Sequence, residues 1–284
     1  MSKVTNIFTV DMEDWFFDSR HSTYLRRYDL SPYKDILALN TETILNLLKR
    51  KSIKATFFVL GKLAESMPDL VKTIAIEGHE IASHGWDHTP LYNMTDAEFR
   101  EDIRKSDDAI FKAISVHPKG YRAPMFSINH KNLHLLDIIK ESGYIYDSSI
   151  FPTNLHPKYG MNLRTENENE ITKGLIEIPM SVFEIAGLKL PFSGGAYFRF
   201  YPYSLFNFLF KKCNKANKSV VFYFHPWEIS NSIPDELTTP INKLRIKYQN
   251  GSIIDKLDRM TDEHRFVSVS EYISTLLTVE LNHV

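Results

Sequence analysis

Ile7-Phe8-Thr9-Val10-Asp11-Met12-Glu13-Asp14 decides the reading of this chain. Four apolar or β-branched residues run without a polar break into a cluster of acids. A short apolar run of this kind reads as a buried parallel strand. Two further segments repeat the grammar. Ile81-Ala82 leads into Ser83-His84-Gly85-Trp86-Asp87-His88, and Val220-Val221-Phe222-Tyr223 leads into Phe224-His225-Pro226-Trp227-Glu228. Polar groups just past strand C-termini are where α/β barrels and open α/β sheets place active sites. A carboxylate with two neutral imidazoles is a common ligand set for zinc or another divalent transition metal, with a position left for water. The reaction class that follows is hydrolysis by a metal-activated water.

Working outward, strand-like and helix-like runs alternate. Residues 36–51 carry a helical apolar face, 55–60 read as a strand, and 68–77 read as a helix with Pro in its first turn and Gly78 as its stop. Thr95 with Glu98 predicts a capping box that opens a helix to about Ser115. A helix over 129–142, a strand at 175–178, a helix at 203–214, a strand at 219–224 and helical stretches near 238–250 and 270–279 complete the pattern. The alternation predicts an α/β architecture with parallel strands. With no linker-like composition shift and no repeat, one domain over 1–284 is expected. Residues 152–174 lack apolar periodicity; they read equally as a functional loop or as a solvated excursion.

Composition bounds the function. Thirty-four Lys+Arg nearly balance 35 Asp+Glu, which argues against nucleic acid or an anionic membrane surface as partner. No apolar run is long enough to span a membrane, and no leader precedes Asp11, so a cytoplasmic protein is expected. Cys213, the single cysteine, forbids an intrachain disulfide and fits a reducing compartment.

Spacing alone does not prove the histidine pair. Eleven histidines in 284 residues give about 0.4 pairs at i,i+4 by chance, the spacing of neighbours on a helix. The chain holds a second pair, His130 and His134, read as ordinary helix surface. His84 and His88 instead follow a strand, with Gly85 permitting a tight bend. Arg122, in Gly120-Tyr121-Arg122-Ala123-Pro124, reads functionally as a guanidinium fork that fixes a carboxylate.

With these motifs in hand the chain resembles the polysaccharide deacetylases with the NodB homology fold, carbohydrate esterase family 4. The resemblance rests on Thr9-Val10-Asp11-Met12-Glu13-Asp14-Trp15, Gly78-His79-Glu80-Ile81-Ala82-Ser83-His84-Gly85-Trp86-Asp87-His88, Tyr121-Arg122-Ala123-Pro124, Tyr146-Asp147-Ser148-Ser149 and Phe224-His225-Pro226-Trp227-Glu228, in that order. Gly194-Gly195-Ala196-Tyr197-Phe198-Arg199 resembles the subgroup found with exopolysaccharide and O-antigen gene clusters. The resemblance covers about residues 4–270. It implies a distorted (β/α) barrel, a divalent metal and removal of acetyl from an N-acetylated sugar.

Carried over residue by residue, the resemblance makes Asp11 the catalytic base, Arg122 the residue that orients it, and His225 the catalytic acid. His84 and His88 become metal ligands. The family's two adjacent aspartates are separated here by Met12-Glu13. Asp14 is taken as the metal carboxylate, with Glu13 as rival. Zinc suits such a set best, and cobalt, nickel or iron also suit it. Trp227, Tyr197 and Arg199 are expected at the substrate, and Arg199 reads equally as a partner for a carrier phosphate or as one half of a structural salt bridge. Two other readings stand beside this one: an allantoinase-like amidase, and a glycan-binding homologue without chemistry. Residue types leave the oligomeric state open.

Overall fold

In a computed structural model, residues 4–14, 16, 31–153, 160–161, 174–230 and 253–281 are described. Trp15, the stretch near 238–250 and most of 152–174, all named above, lie outside them.

β1 (Thr5–Met12) is the axis of the fold, and its last seven residues are buried. Burial on both faces is what its unbroken apolar run requires. β1 pairs in parallel with β2 (Thr56–Val59), β9 (Val221–Phe224) and β10 (Arg265–Val267). From β2 the sheet continues in parallel through β3 (Glu80–Ser83), β4 (Gly120–Tyr121), β5 (Tyr146–Asp147) and β6 (Ile176–Glu177). Beyond β9, Tyr223 donates its N–H to Ser193 O and forms a parallel bridge with Gly194. This half-barrel, with helices packed over it, is the architecture the alternation predicts.

The helix Ser31–Arg50 (α1) buries Leu37, Thr41, Ile44, Leu45, Leu47 and Leu48. The four leucines and Ile44 join Val10, Met12, Val59 and Phe222 in the main core cluster. The helix Asp96–Ile114 carries the expected capping box: Thr95 Oγ1 accepts from Glu98 N and Glu98 Oε2 from Thr95 N. The helices Pro68–Ile76, Tyr203–Lys215 and Val269–Leu281 also fall where the periodicity places them. No helix among the described residues is long and apolar enough to cross a membrane.

Three local expectations are corrected. The helix expected over 129–142 spans only Leu135–Glu141. The preceding residues form turns pinned by Asn132, which accepts from Asn129 N and donates to Ser127 O; amide side chains compete with the helical ladder in this way. Gly194–Arg199, for which no element was expected, belongs largely to a short helix, Gly195–Phe200. An antiparallel hairpin, β7 (Val182–Ile185) with β8 (Leu188–Pro191), was not anticipated. It turns through Ala186 and Gly187, both at positive φ, and Ala-Gly is a weak turn signal beside Asn-Gly.

Candidate metal-dependent active site

Every motif singled out in the sequence reaches the C-terminal edge of the sheet. Asp11 is the penultimate residue of β1, His84 follows β3, Arg122 follows β4, Ser148 follows β5, and His225 follows β9. Parallel strands bring these ends to one side of the molecule, so residues more than two hundred positions apart meet there.

Asp11 and Arg122 form the first element. Both are buried, at 2% and 0% exposure, and Arg122 Nη1 donates to Asp11 Oδ1 at 2.6 Å. Nη1 also donates to Thr9 Oγ1 at 2.9 Å, Nε to Ser148 O at 3.2 Å, and Nη2 to Ser148 Oγ at 2.9 Å. Phe58 supports the guanidinium 3.9 Å from its ring centroid. A planar fork held at three corners fixes one carboxylate oxygen and leaves the other for chemistry.

Glu13, His84 and His88 form the second element. One ligating atom from each lies within 4.8 Å of the others. Glu13 Oε2 is 2.5 Å from His88 Nε2 and 3.9 Å from His84 Nε2. This geometry moves the expected metal carboxylate from Asp14 to its rival. Side chains alternate faces along an extended segment. Met12 points into the core, near Thr41 of α1, while Asp11 and Glu13, two apart, share the site face. Asp14 is buried but does not belong to the cluster.

His84 has the protonation a metal needs. His84 Nδ1 lies 2.8 Å from Arg122 O, and a carbonyl only accepts, so Nδ1 carries the proton and Nε2 keeps its lone pair. Burial, reinforced by His88, pushes the His84 pKa down to about 3. Burial would raise the Glu13 carboxyl, but His88 and His225 outweigh it and hold it below its usual range. An anionic oxygen and two imidazoles, one with its tautomer fixed, fit a divalent transition metal. The loop itself turns at Gly85, with φ +74°, and Asp102 accepts the Trp86 N–H at 3.0 and 3.1 Å.

His225, Glu228 and Arg199 form the third element. His225 Nε2 is 3.2 Å from Glu13 Oε1, and its Nδ1 is 3.4 Å from Glu228 Oε2. Burial lowers the His225 pKa, but Glu13, Glu228 and Asp11 more than offset it and raise it to about 9. Glu228 also accepts the His225 N–H at 3.0 Å. Arg199 closes the chain, with Nε at 3.1 Å and Nη2 at 3.0 Å from Glu228 Oε1.

The carrier-phosphate reading of Arg199 is therefore corrected. Arg199 is 2% exposed and spends its guanidinium on Glu228. A burial this deep needs a partner charge, and Glu228 supplies it. Gly195 makes room: a Cβ there would lie 1.8 Å from Glu228 Oε2. Trp227 stacks on His225 at 5.2 Å and 18°, so one of its faces is taken. Tyr197 is partly buried against the core cluster that contains Phe58 and Tyr223.

Sequence reading missed Asp102 and the roles of Ser148 and Glu228. Glu228 stood three residues beyond His225, within reach of a local capping argument. Nothing local marks Asp102 or Arg199, whose partners lie 16 and 29 residues away.

Comparison with known proteins agrees with this geometry. Residues 27–146 match the family described as Polysaccharide deacetylase, and residues 148–274 match Domain of unknown function (DUF3473). The chain is thus similar to polysaccharide deacetylases over its first half and to DUF3473 over most of its second. A peptidoglycan-N-acetylglucosamine deacetylase from Bacillus cereus is 39% identical over 93 residues, which is 33% of this chain and 34% of that protein. The chain thus spans about a third of that relative's length.

Among solved structures, a putative polysaccharide deacetylase from Mycobacterium smegmatis superposes with a TM-score of 0.64 at 18% identity, covering 99% of this chain and 92% of that one. A CE4 family pseudoenzyme from Bacillus anthracis superposes at 0.53 and 11% identity, covering 95% and 65%. These likenesses bear out the (β/α) barrel of the deacetylase type.

Proposed function

We propose that this chain is a metal-dependent hydrolase that removes N-acetyl groups from an N-acetylated carbohydrate. Fold cannot carry the reading, since one fold neighbour is a pseudoenzyme. The observation that carries it is the Glu13–His84–His88 cluster, flanked by Asp11 held on Arg122 and by His225 held on Glu228. Hydrolysis of an amide needs a proton acceptor for water and a proton donor for the departing amine, and these two sides supply them.

Glu13, His84 and His88 would hold the ion, which when bound lowers the pKa of a water and polarises the acetyl carbonyl. Arg122 keeps Asp11 in one orientation, with an oxygen available to accept the proton of the attacking water. His225, raised to about 9, carries a proton at neutral pH to give to the amine nitrogen. Glu228 keeps the His225 ring facing Glu13, and Arg199 keeps Glu228 charged in its buried position.

Zinc is the metal we favour, supported by two nitrogens and one oxygen as donors. For the substrate we favour a nucleotide- or lipid-linked sugar used in surface-polysaccharide synthesis and a cytoplasmic site of action. The lone cysteine and the Gly194–Arg199 resemblance support that reading. The allantoinase-like alternative would need a closed pocket for a small amide. We also read 1–284 as one domain, supported by strands from both family matches sharing one sheet.

Acetate release from a panel of carrier-linked and free N-acetylhexosamines, with metal removed and restored, tests the reading. Turnover that follows metal content supports it; no acetate from any N-acetylated sugar by metal-loaded protein sinks it. Exclusive use of an extracellular polymer, with the protein found outside the inner membrane, would overturn the cytoplasmic part.

A further inference from the structure

Asp147 and Glu177 face each other in the parallel register of β5 and β6, at 0% and 2% exposure. Two carboxylates this close and this buried cannot both be charged. The hydrogen bonds say which one keeps the proton. Asp147 Oδ2 accepts from Ser149 N at 2.9 Å and its Oδ1 from Ser149 Oγ at 2.6 Å, so both its oxygens act as acceptors. Glu177 Oε1 accepts from Ile150 N at 3.1 Å, and Oε2 receives no donor. A proton on Oε2, shared with Asp147, satisfies every atom of the pair.

We propose that Asp147 and Glu177 form a one-proton carboxyl pair that positions Arg122, and through it the Asp11 base. The pair anchors the end of β5, and that end holds the guanidinium. Ser149 Oγ accepts from Ala123 N at 2.7 Å, next to Arg122. Ser148 O and Oγ accept from Arg122 Nε and Nη2, while Ser148 Oγ donates to Ile178 O at 2.8 Å, one residue beyond Glu177. Arg122 then has a single arm left for Asp11. Both members are positioning residues, since neither is placed at the reacting atoms.

Burial drives the Glu177 carboxyl well above its usual range, and the Asp147 charge adds to this; Arg122 pulls the other way. Among the described residues, Arg122 and Tyr121 of the β4 edge are the titratable groups that face the pair. A raised carboxyl stabilises the fold fully at acid pH, and that contribution is lost as pH rises through its folded value.

The activity arm of the test rests on the deacetylase reading; the spectroscopic arms do not. The infrared difference spectrum between the wild type and Glu177→Gln at neutral pH should show one protonated buried carboxyl band that the variant, whose amide keeps both hydrogen bonds, has lost, beside any band from the buried Asp102, whose carboxyl burial raises to about 7. Glu177→Gln, whose amide can donate to Asp147 in place of the carboxyl proton, should lower kcat less than Asp147→Asn does. Asp147→Asn, which turns one of the two accepting oxygens into a donor facing a donor, should lower kcat by at least about tenfold, as losses of supporting hydrogen bonds do, with KM and bound metal unchanged. The 15N resonance of Arg122 Nε should move in Asp147→Asn and stay in Glu177→Gln.

Should Asp147→Asn fail to fold, Ser148→Ala removes one Arg122 acceptor and should lower kcat and move that resonance without touching the infrared band. The proposal is overturned if Glu177→Gln loses no carboxyl band of the wild type. It is equally overturned by a Glu177→Gln loss equal to that of Asp147→Asn, or by an unmoved Arg122 signal in both Asp147→Asn and Ser148→Ala. If the wild type releases no acetate, the deacetylase reading fails, and the band and the Arg122 signal still decide the pair.

Discussion

Two segments of the chain place histidines four residues apart, and the fold treats them differently. His84 and His88 are buried at 2% and 6% exposure, behind a strand end, with Glu13 against both. His130 and His134 are exposed and sit in turns before the helix Leu135–Glu141. His134 does find an acid, Asp96 Oδ1 at 3.0 Å, but with side chains 55% and 62% exposed. Water screens such a pair to roughly 0–1 kcal/mol. The contrast teaches that spacing counts for little until a strand end, burial and a carboxylate from elsewhere coincide.

The largest expected effect tests the buried pair. His84→Ala should abolish metal binding and reduce turnover to background, read by metal content and acetate release on one sample. Full metal content in that variant would erase the contrast between the two segments.

Asp11→Asn comes next. It keeps shape and leaves the Glu13–His84–His88 donors intact, so metal should stay bound while kcat falls about 10²–10⁴-fold, the usual worth of a general base. Near-normal kcat would remove Asp11 from its role.

A smaller effect sharpens the choice of carboxylate. Glu13→Gln should weaken metal affinity much more than Asp14→Asn, because Glu13 Oε2 lies near both imidazoles. Competition titration with a chelator measures both. The reverse ranking would restore Asp14.

The smallest effect belongs to the exposed pair. His130→Ala and His134→Ala should leave metal content and kcat unchanged and move stability by no more than about 0.5 kcal/mol. Loss of metal from either variant would mean that the wrong segment was assigned to the ion.

The regular elements were legible because their signals are local. The apolar run before Asp11, the Thr95–Glu98 box and the Pro68 start each depend on residues a few positions apart. The hairpin at 182–191 was not legible, because Ala186-Gly187 gives little turn signal. Arg199 stayed open between a carrier phosphate and a structural salt bridge for a related reason: sequence shows a charge, and only packing against Glu228 shows that it is consumed.

By itself, the sequence determined a parallel α/β fold and the strand-end positions of Asp11, His84, His88, Arg122 and His225, because hydrophobic runs fix strands and strand direction fixes which ends converge. The tertiary structure decided which acid serves which partner. Glu13 takes the histidines, Asp11 takes Arg122, Glu228 takes Arg199, and Glu177 shares its proton with Asp147. Those choices turn on side-chain direction and burial across segments up to 111 residues apart, where a carboxylate's distance to a cation sets its charge and its role.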